Sequence, residues 1–123
     1  MYKIAKEFTF DAAHILKGMP TNHPCGRLHG HTYTTIIHLQ KPELLEEGFV
    51  KDYNDLKPIK DWIDNTLDHR FLNDVLLFNP TAENIAAYIF EYWHHDFPEM
   101  FAVEVKETAK TIARYEPTDN KRQ

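Results

Sequence analysis

Seven consecutive residues, Cys25–His31, contain the only cysteine of the chain and two of its eight histidines. His29 and His31 are two positions apart, so in an extended segment both imidazole rings project from the same face. Gly30 between them leaves the other face bare, where a ligand or another backbone can approach closely. Two exposed histidines ahead of a strand would give the same pattern. A metal site therefore needs a third ligand elsewhere in the sequence.

His14 is the best candidate for that third ligand. Residues 2–14 alternate between apolar and polar side chains, as expected for a half-buried strand, and His14 continues the apolar face. A second strand is predicted over residues 31–40. A hairpin of these two strands would bring His14 beside His29 and His31. Because catalytic zinc commonly takes three protein ligands and keeps one position open, the pattern predicts a zinc site.

Cys25 allows three interpretations. A lone cysteine is most often buried and inert, although a loop containing proline, glycine and arginine is a poor place to bury one. It could instead be a fourth zinc ligand in a closed structural site, and the chain would then be a non-catalytic, zinc-stabilised interaction module. In the third interpretation, nearby cationic groups favour the thiolate, which is the reactive form of the residue.

The rest of the sequence predicts an α+β fold. The predicted order is strand, strand, helix, helix, strand, strand, over residues 2–14, 31–40, 54–66, 82–96, 101–108 and 110–115. Asn54 or Asp55 is expected to cap the first helix and Thr81 the second, while residues 67–80 form a loop. We expect one four-stranded antiparallel sheet with two helices on one face. Because such a sheet has open edge strands, oligomerisation through them is expected.

Composition narrows the functional class. The chain has 123 residues, of which 42% are hydrophobic, enough for one folded domain. That domain is predicted over residues 1–116, followed by a polar tail over 117–123. The net charge is −5, and no basic block is present, which argues against nucleic acid as a partner. A single cysteine fits a reducing compartment, and no apolar run is long enough for a membrane span. We therefore expect a cytoplasmic protein with no membrane partner.

Two further positions carry candidate chemistry. Asp68 and His69 lie in the predicted loop, where they form either a solvated turn or an acid/base pair; side chains of adjacent residues usually hydrogen-bond poorly to each other. Glu107 follows an alternating apolar face in the third predicted strand. Either the strand has ended and the carboxylate is solvated, or its two oxygens accept N–H groups from a ligand such as an aminopyrimidine.

Taken together, these motifs resemble the 6-pyruvoyltetrahydropterin synthase superfamily from about Ile4 to Tyr115. Six blocks carry the resemblance: Phe10–His14, Cys25–Tyr33, Lys51–Lys57, Leu67–Asn73, Asn79–Asn84 and Val105–Thr108. The three-residue gap between Cys25 and His29 is similar to the branch that makes 6-carboxytetrahydropterin on the route to 7-deazaguanine and queuosine. Two residues depart from the pattern. Lys51 stands where an aliphatic residue is usual, and the resemblance gives no role to His23.

The resemblance implies a role for each candidate residue. Zinc would be held by His14, His29 and His31; Cys25 would be the general base; Asp68 and His69 would form its acid/base partner at a subunit boundary; and Glu107 would anchor the pterin ring. The implied reaction converts 7,8-dihydroneopterin triphosphate to 6-carboxy-5,6,7,8-tetrahydropterin, releasing triphosphate and acetaldehyde. The alternative is 6-pyruvoyltetrahydropterin synthase activity on the same substrate. The implied architecture is the tunnelling fold, in which copies of the chain join into an oligomeric barrel, commonly a hexamer.

Overall fold

The computed structural model of the protein describes residues 1–20 and 22–118, so residues 119–123 of the predicted tail lie outside the described part. The strands and helices are β1 (Tyr2–His14), β2 (His29–Lys41), α1 (Lys57–Thr66), β3 (Arg70–Phe71), α2 (Leu72–Val75), α3 (Ala82–Trp93), β4 (Met100–Lys106) and β5 (Ala113–Tyr115). Two short 3-10 turns lie at Pro24–Gly26 and Tyr53–Leu56. The α+β class is confirmed.

The strands form one five-stranded sheet in the order β3-β1-β2-β4-β5. β1 and β2 are antiparallel along their whole length, from the pair Tyr2 and Lys41 to the pair His14 and His29. The predicted four-stranded antiparallel sheet was wrong, because β3, in the predicted loop, adds a fifth strand parallel to β1. A two-residue strand is too short to show an alternation of apolar and polar residues. β3 is therefore recognised only from its pairing with β1 in the structure.

The hydrophobic core lies between one face of the sheet and the helices. Alternate residues of the central hairpin point into it, including Phe8, Phe10, Tyr33 and Ile37, and they belong to one buried cluster with Ile59 and Ile63 of α1 and Ile85 and Ile89 of α3. The shared cluster agrees with the prediction of two helices on one face of the sheet. Each fully buried aliphatic side chain contributes about 1.5–3 kcal/mol.

The helix starts follow capping chemistry in different ways. The hydroxyl of Thr81 accepts the N–H of Asn84 at 3.1 Å and begins α3 as predicted. The cap predicted for α1 was wrong: the carboxylate of Asp52 accepts the N–H of Asn54 at 2.9 Å and begins the 3-10 turn that leads into α1. Within the described part of the chain, no helix combines the length and the apolar character needed to cross a bilayer.

One edge of the sheet, along β1, is covered over only part of its length. Among the described residues, the outer edge of β1 is paired only at Ala12 and Ala13, where β3 lies alongside. The opposite edge is the three-residue strand β5. A long exposed edge such as that of β1 readily pairs with another chain.

Candidate metal centre and acid/base pair

Three histidines converge at one end of the central hairpin. His14 ends β1 directly opposite His29, which begins β2, and His31 follows on the same face. The ligand nitrogens of all three rings lie within 4.8 Å of one another. His14 is fully buried, while His29 and His31 are half-buried. The hairpin register therefore brings together the histidines that the sequence predicted.

Backbone carbonyl groups set the orientation of two of the rings. His14 Nδ1 lies 2.8 Å from the carbonyl oxygen of Pro80, and His29 Nδ1 lies 2.7 Å from that of Arg27. A carbonyl oxygen can only accept, so each Nδ1 carries the hydrogen and donates. In the neutral rings each Nε2 then presents a lone pair, which is the form that binds a metal ion.

Burial favours the neutral state of His14 and His31, which is the state that a metal ion requires. It is the main cause that lowers the pKa of His14, and the carbonyl of Pro80 opposes it only in part. Burial likewise lowers the pKa of His31, although the carboxylate of Glu107 acts in the opposite direction. These two histidines are thus favoured as neutral ligands over imidazolium cations.

The donor set fits zinc. His31 Nε2 is buried without a hydrogen-bond partner, and an unsatisfied buried nitrogen is costly unless something binds it. Three imidazole nitrogens, two of them on rings held by carbonyl groups, match the usual protein environment of catalytic zinc. Among the described residues the group contains no cysteine. In this structure Cys25 therefore lies outside the histidine group, and its interpretation as a fourth ligand stays an alternative.

Tyr33 is a neighbour of the histidines that the sequence did not single out. Its hydroxyl oxygen lies 3.1 Å from His14 Nδ1, and its side chain is fully buried. Burial, assisted by the negative charge of Glu107, raises the pKa of Tyr33 far above its ordinary value, so the hydroxyl stays protonated. Its position on the histidine-bearing face of β2 was the only sequence signal for this contact.

Cys25 lies on the 3-10 turn Pro24–Gly26, in the loop between β1 and β2. Its side chain is half-buried. The backbone N–H of Cys25 donates to His23 Nδ1 at 3.0 Å, and its carbonyl oxygen accepts from the N–H of Leu16 at 2.9 Å. Cys25 therefore lies outside the core, in a loop whose backbone is held by these hydrogen bonds.

Two asparagines anchor the chain just after His14. The side chain of Asn73 accepts the N–H of Ile15 at 2.9 Å and donates to its carbonyl oxygen at 2.8 Å. Asn79 does the same at Lys17, at 2.8 and 3.3 Å. Each amide thus pairs with a main-chain unit as a neighbouring strand would. In the sequence, Asn73 and Asn79 appeared only within the blocks that carry the family resemblance, and these hydrogen bonds were not predicted.

Asp68 and His69 form a hydrogen-bonded pair. His69 Nδ1 lies 2.8 Å from Asp68 Oδ2, so the expectation of poor contact between adjacent side chains was wrong. The reason is the backbone of His69, which has a φ of 58° and turns the ring back towards the preceding carboxylate. Among the described non-glycine residues, His69 is the only one with a positive φ.

The backbone of Asp11 holds this pair in place. Its N–H donates to Asp68 Oδ1 at 2.8 Å, and its carbonyl oxygen accepts from the N–H of His69 at 2.6 Å. The first of these bonds is the main cause that lowers the pKa of Asp68, and the hydrogen bond with His69 acts in the same direction. Asp68 is therefore an anion that fixes the hydrogen on His69 Nδ1 and leaves Nε2 free.

The pair and the three histidines form separate groups. Within residues 1–20 and 22–118, no hydrogen bond or ion pair joins Asp68 or His69 to Cys25. His69 and His31 do line one open depression beside Gly30. One chain thus brings the predicted metal ligands together but does not bring the acid/base pair into contact with the cysteine.

Glu107 lies at the rim of the histidine group. Its Oε2 is 3.5 Å from His31 Nε2, and 25% of its side chain is exposed. β4 ends at Lys106, so the predicted extension of this strand through Glu107 was wrong. The carboxylate is therefore neither buried in the sheet nor fully solvated, and it faces the position that a bound metal ion and its ligand would share.

Comparisons with known proteins agree on one family. A family model described as 6-pyruvoyl tetrahydropterin synthase matches residues 3–118. The 6-carboxy-5,6,7,8-tetrahydropterin synthase of Synechocystis sp. is 41% identical over 122 residues, covering 94% of this chain and 93% of that protein. The dihydroneopterin monophosphate aldolase of Pyrococcus furiosus is 35% identical over 78% of each. The structure of Caenorhabditis elegans 6-pyruvoyl tetrahydropterin synthase superposes with a TM-score of 0.83 at 27% identity, over 95% of this chain and 96% of that one.

Proposed function

The chain belongs to the 6-pyruvoyl tetrahydropterin synthase family, and on this premise we propose that it is a zinc-dependent 6-carboxy-5,6,7,8-tetrahydropterin synthase of the route to 7-deazaguanine and queuosine. It converts 7,8-dihydroneopterin triphosphate and one water into 6-carboxy-5,6,7,8-tetrahydropterin, acetaldehyde and triphosphate. The observation that carries the proposal is the group of three converging histidines beside a cysteine-bearing loop, in a chain that is 41% identical to the Synechocystis synthase.

His14, His29 and His31 would hold the zinc ion. Zinc would supply Lewis-acid polarisation of the oxygens on the substrate side chain, which makes the neighbouring C–H groups more acidic. The supporting observation is the buried, unpartnered Nε2 of His31, next to two rings whose Nδ1 atoms already donate to carbonyl groups. Tyr33 and the carbonyl of Pro80 keep the ring of His14 in that orientation.

Cys25 acts as the general base in this proposal. As a thiolate it removes a proton from a carbon of the substrate side chain, and as a thiol it can return one. His69 exchanges protons with the side-chain hydroxyls through Nε2, because its Nδ1 hydrogen is engaged by Asp68 at 2.8 Å. Asp68 remains an anion and orients the ring.

The acid/base pair works across a subunit boundary. His69 of one protomer acts with Cys25 of the partner subunit, in a cytoplasmic homo-oligomer that we propose to be a hexamer of single-domain chains. Support comes from the lack of a direct bond between the pair and Cys25 among the described residues, and from the sheet edge along β1 that β3 covers only at Ala12 and Ala13.

Glu107 anchors the pterin ring. A carboxylate can accept two parallel N–H bonds, one from the exocyclic amine and one from the ring nitrogen of an aminopyrimidine. Support comes from its place 3.5 Å from His31 Nε2. A substrate held there by its ring would extend its side chain over the three histidines.

Product analysis tests the proposal. Zinc-loaded protein is incubated with 7,8-dihydroneopterin triphosphate, and the pterin, acetaldehyde and triphosphate are quantified by mass spectrometry. We expect the three products in equal amounts, with none from Cys25→Ala protein that retains its zinc. Triphosphate with a pyruvoyl product and no acetaldehyde would instead identify 6-pyruvoyltetrahydropterin synthase activity, which the family name favours. Cleavage to glycolaldehyde would identify an aldolase.

A further inference from the structure

We propose that His23 is a positioning residue for Cys25, an inference that rests on the proposed function because it assumes that the thiol is the base. His23 Nδ1 accepts the backbone N–H of Cys25 at 3.0 Å. His23 is the N-cap of the 3-10 turn Pro24–Gly26, with extended backbone angles of −77° and 132°. The imidazole therefore fixes the main chain of the cysteine two residues further on.

This hydrogen bond satisfies the first backbone donor of the 3-10 turn. Pro24 has no N–H, so Cys25 supplies the first donor of the turn. The carbonyl oxygen of His23 accepts from Gly26 at 3.0 Å, and that of Pro24 accepts from Arg27 at 3.1 Å. Without an acceptor at position 23, the N–H of Cys25 would have no partner within the turn, and the turn would fray from its beginning.

Both backbone polar groups of Cys25 are engaged. Its carbonyl oxygen accepts from the N–H of Leu16 at 2.9 Å, and Leu16 lies two residues after His14. The backbone that carries the thiol is thus hydrogen-bonded on one side to His23 and on the other to the segment that directly follows β1. The position of the Cys25 thiol relative to the histidine group therefore depends on the hydrogen bonds to His23 and to Leu16.

An imidazole suits this position better than the usual caps. Serine, threonine, asparagine and aspartate are the common N-cap residues. Aspartate would place a negative charge two residues from the sulfur and disfavour a thiolate there. A histidine that accepts through Nδ1 must be neutral, with its hydrogen on Nε2. His23 therefore caps the turn without adding negative charge beside the thiol.

Thiol chemistry tests the inference directly, because Cys25 is the only cysteine in the chain. The second-order rate of alkylation by iodoacetamide is measured on the intact zinc-loaded protein for wild type, His23→Ala, His23→Asn and His23→Asp. Asn22→Ala, which truncates an exposed side chain in the same loop, is the matched control. Zinc content, kcat and KM are measured on the same samples.

We expect the alanine variant to be alkylated about fivefold faster, the factor that corresponds to a typical N-cap contribution, because the frayed turn exposes the half-buried side chain. Its kcat should fall while KM and zinc content stay unchanged. The asparagine variant, which restores a neutral acceptor, should return both the alkylation rate and kcat to near wild type. The aspartate variant should be alkylated more slowly than the asparagine variant.

A wild-type alkylation rate in His23→Ala would overturn the inference, as would an asparagine variant that behaves like the alanine variant. The two proposals can fail separately. If the wild-type protein forms none of the expected pterin product, the proposed function is wrong, yet the alkylation series still decides whether His23 holds the turn that carries Cys25.

Discussion

His14 Nε2 and His29 Nε2 lie 2.9 Å apart, and when both rings are neutral neither nitrogen has a hydrogen to donate. Both rings have committed their single hydrogen to a carbonyl oxygen through Nδ1. Two lone pairs therefore face each other, with the unpartnered Nε2 of His31 beside them. A cation bound by all three nitrogens would remove this repulsion.

Metal removal should destabilise the folded protein. A ligand present at about 100 times its dissociation constant stabilises the native state by about 2.7 kcal/mol, so a chelator should lower the unfolding midpoint and added zinc should restore it. His14→Ala should abolish stoichiometric zinc binding, whereas His95→Ala, at an exposed histidine outside the group, should not. Full zinc content in the His14 variant would refute the assignment.

Tyr33→Phe should weaken zinc binding without removing a ligand. The hydroxyl lies 3.1 Å from His14 Nδ1, and loss of such an outer contact typically costs about tenfold in metal affinity. Competition with a chromogenic chelator measures the effect. Tyr115→Phe removes the same group from a tyrosine that donates to Glu91 at 2.9 Å, and it should leave the zinc affinity unchanged. Equal affinities in the two variants would contradict this role of Tyr33.

The left-handed backbone conformation of His69 should affect the free energy of unfolding of variants at this position. Its φ of 58° is tolerated by asparagine but costs a β-branched residue about 1–2 kcal/mol. Urea unfolding of His69→Val should therefore give a lower free energy of unfolding than that of His69→Asn by about that amount. The same pair of substitutions at exposed Lys110, whose φ is not positive, provides the control. If valine and asparagine are equivalent at position 69, the left-handed conformation is absent in solution.

The carboxyl group of Asp68 should titrate below its ordinary pKa of 3.8, since the N–H of Asp11 and then His69 stabilise the anion. A depressed native pKa means that the unfolded state binds more protons, so this contribution to stability is present above pH 3.8 and lost as the pH falls through the native pKa. Carbon-13 NMR of the carboxyl group measures it directly. His69→Ala should raise the midpoint only partly, because the larger cause remains.

Subunit complementation should reveal a shared site. Cys25→Ala and His69→Ala proteins are each expected to be inactive. After subunit exchange, an equimolar mixture should recover about a quarter of wild-type activity, because about one boundary in four then combines both intact residues. A mixture of Cys25→Ala with itself provides the baseline. No recovery despite proven exchange would mean that both residues act within one chain.

The hairpin and its histidines were predictable because their signal is local. Alternation over residues 2–14 fixes which face of β1 is buried, and the spacing of His29 and His31 puts both rings on one face of β2. Antiparallel pairing of neighbouring strands then brings His14 opposite His29. Each step depends only on periodicity and chain order, so the sequence correctly predicted that the three histidines converge.

The acid/base pair could not be predicted in the same way. Its geometry depends on two hydrogen bonds to the backbone of Asp11, which is distant in sequence. The strand β3 exists for the same reason, since Arg70 and Phe71 are held beside β1 by main-chain pairing. Every residue has a backbone carbonyl group, so the sequence does not indicate that those of Pro80 and Arg27 contact the histidines. These contacts appear only once the fold is known.

The contact between His14 and the carbonyl oxygen of Pro80 spans 66 positions of the chain, and this separation has a consequence for biosynthesis. The ribosome delivers all three histidines well before Pro80, so a nascent hairpin can offer its imidazoles to any passing divalent cation while the ring of His14 is still free to rotate. The tautomer of His14 becomes fixed only when the segment before α3 docks. The full set of contacts that orients the ring of His14 can therefore form only after synthesis has passed Pro80.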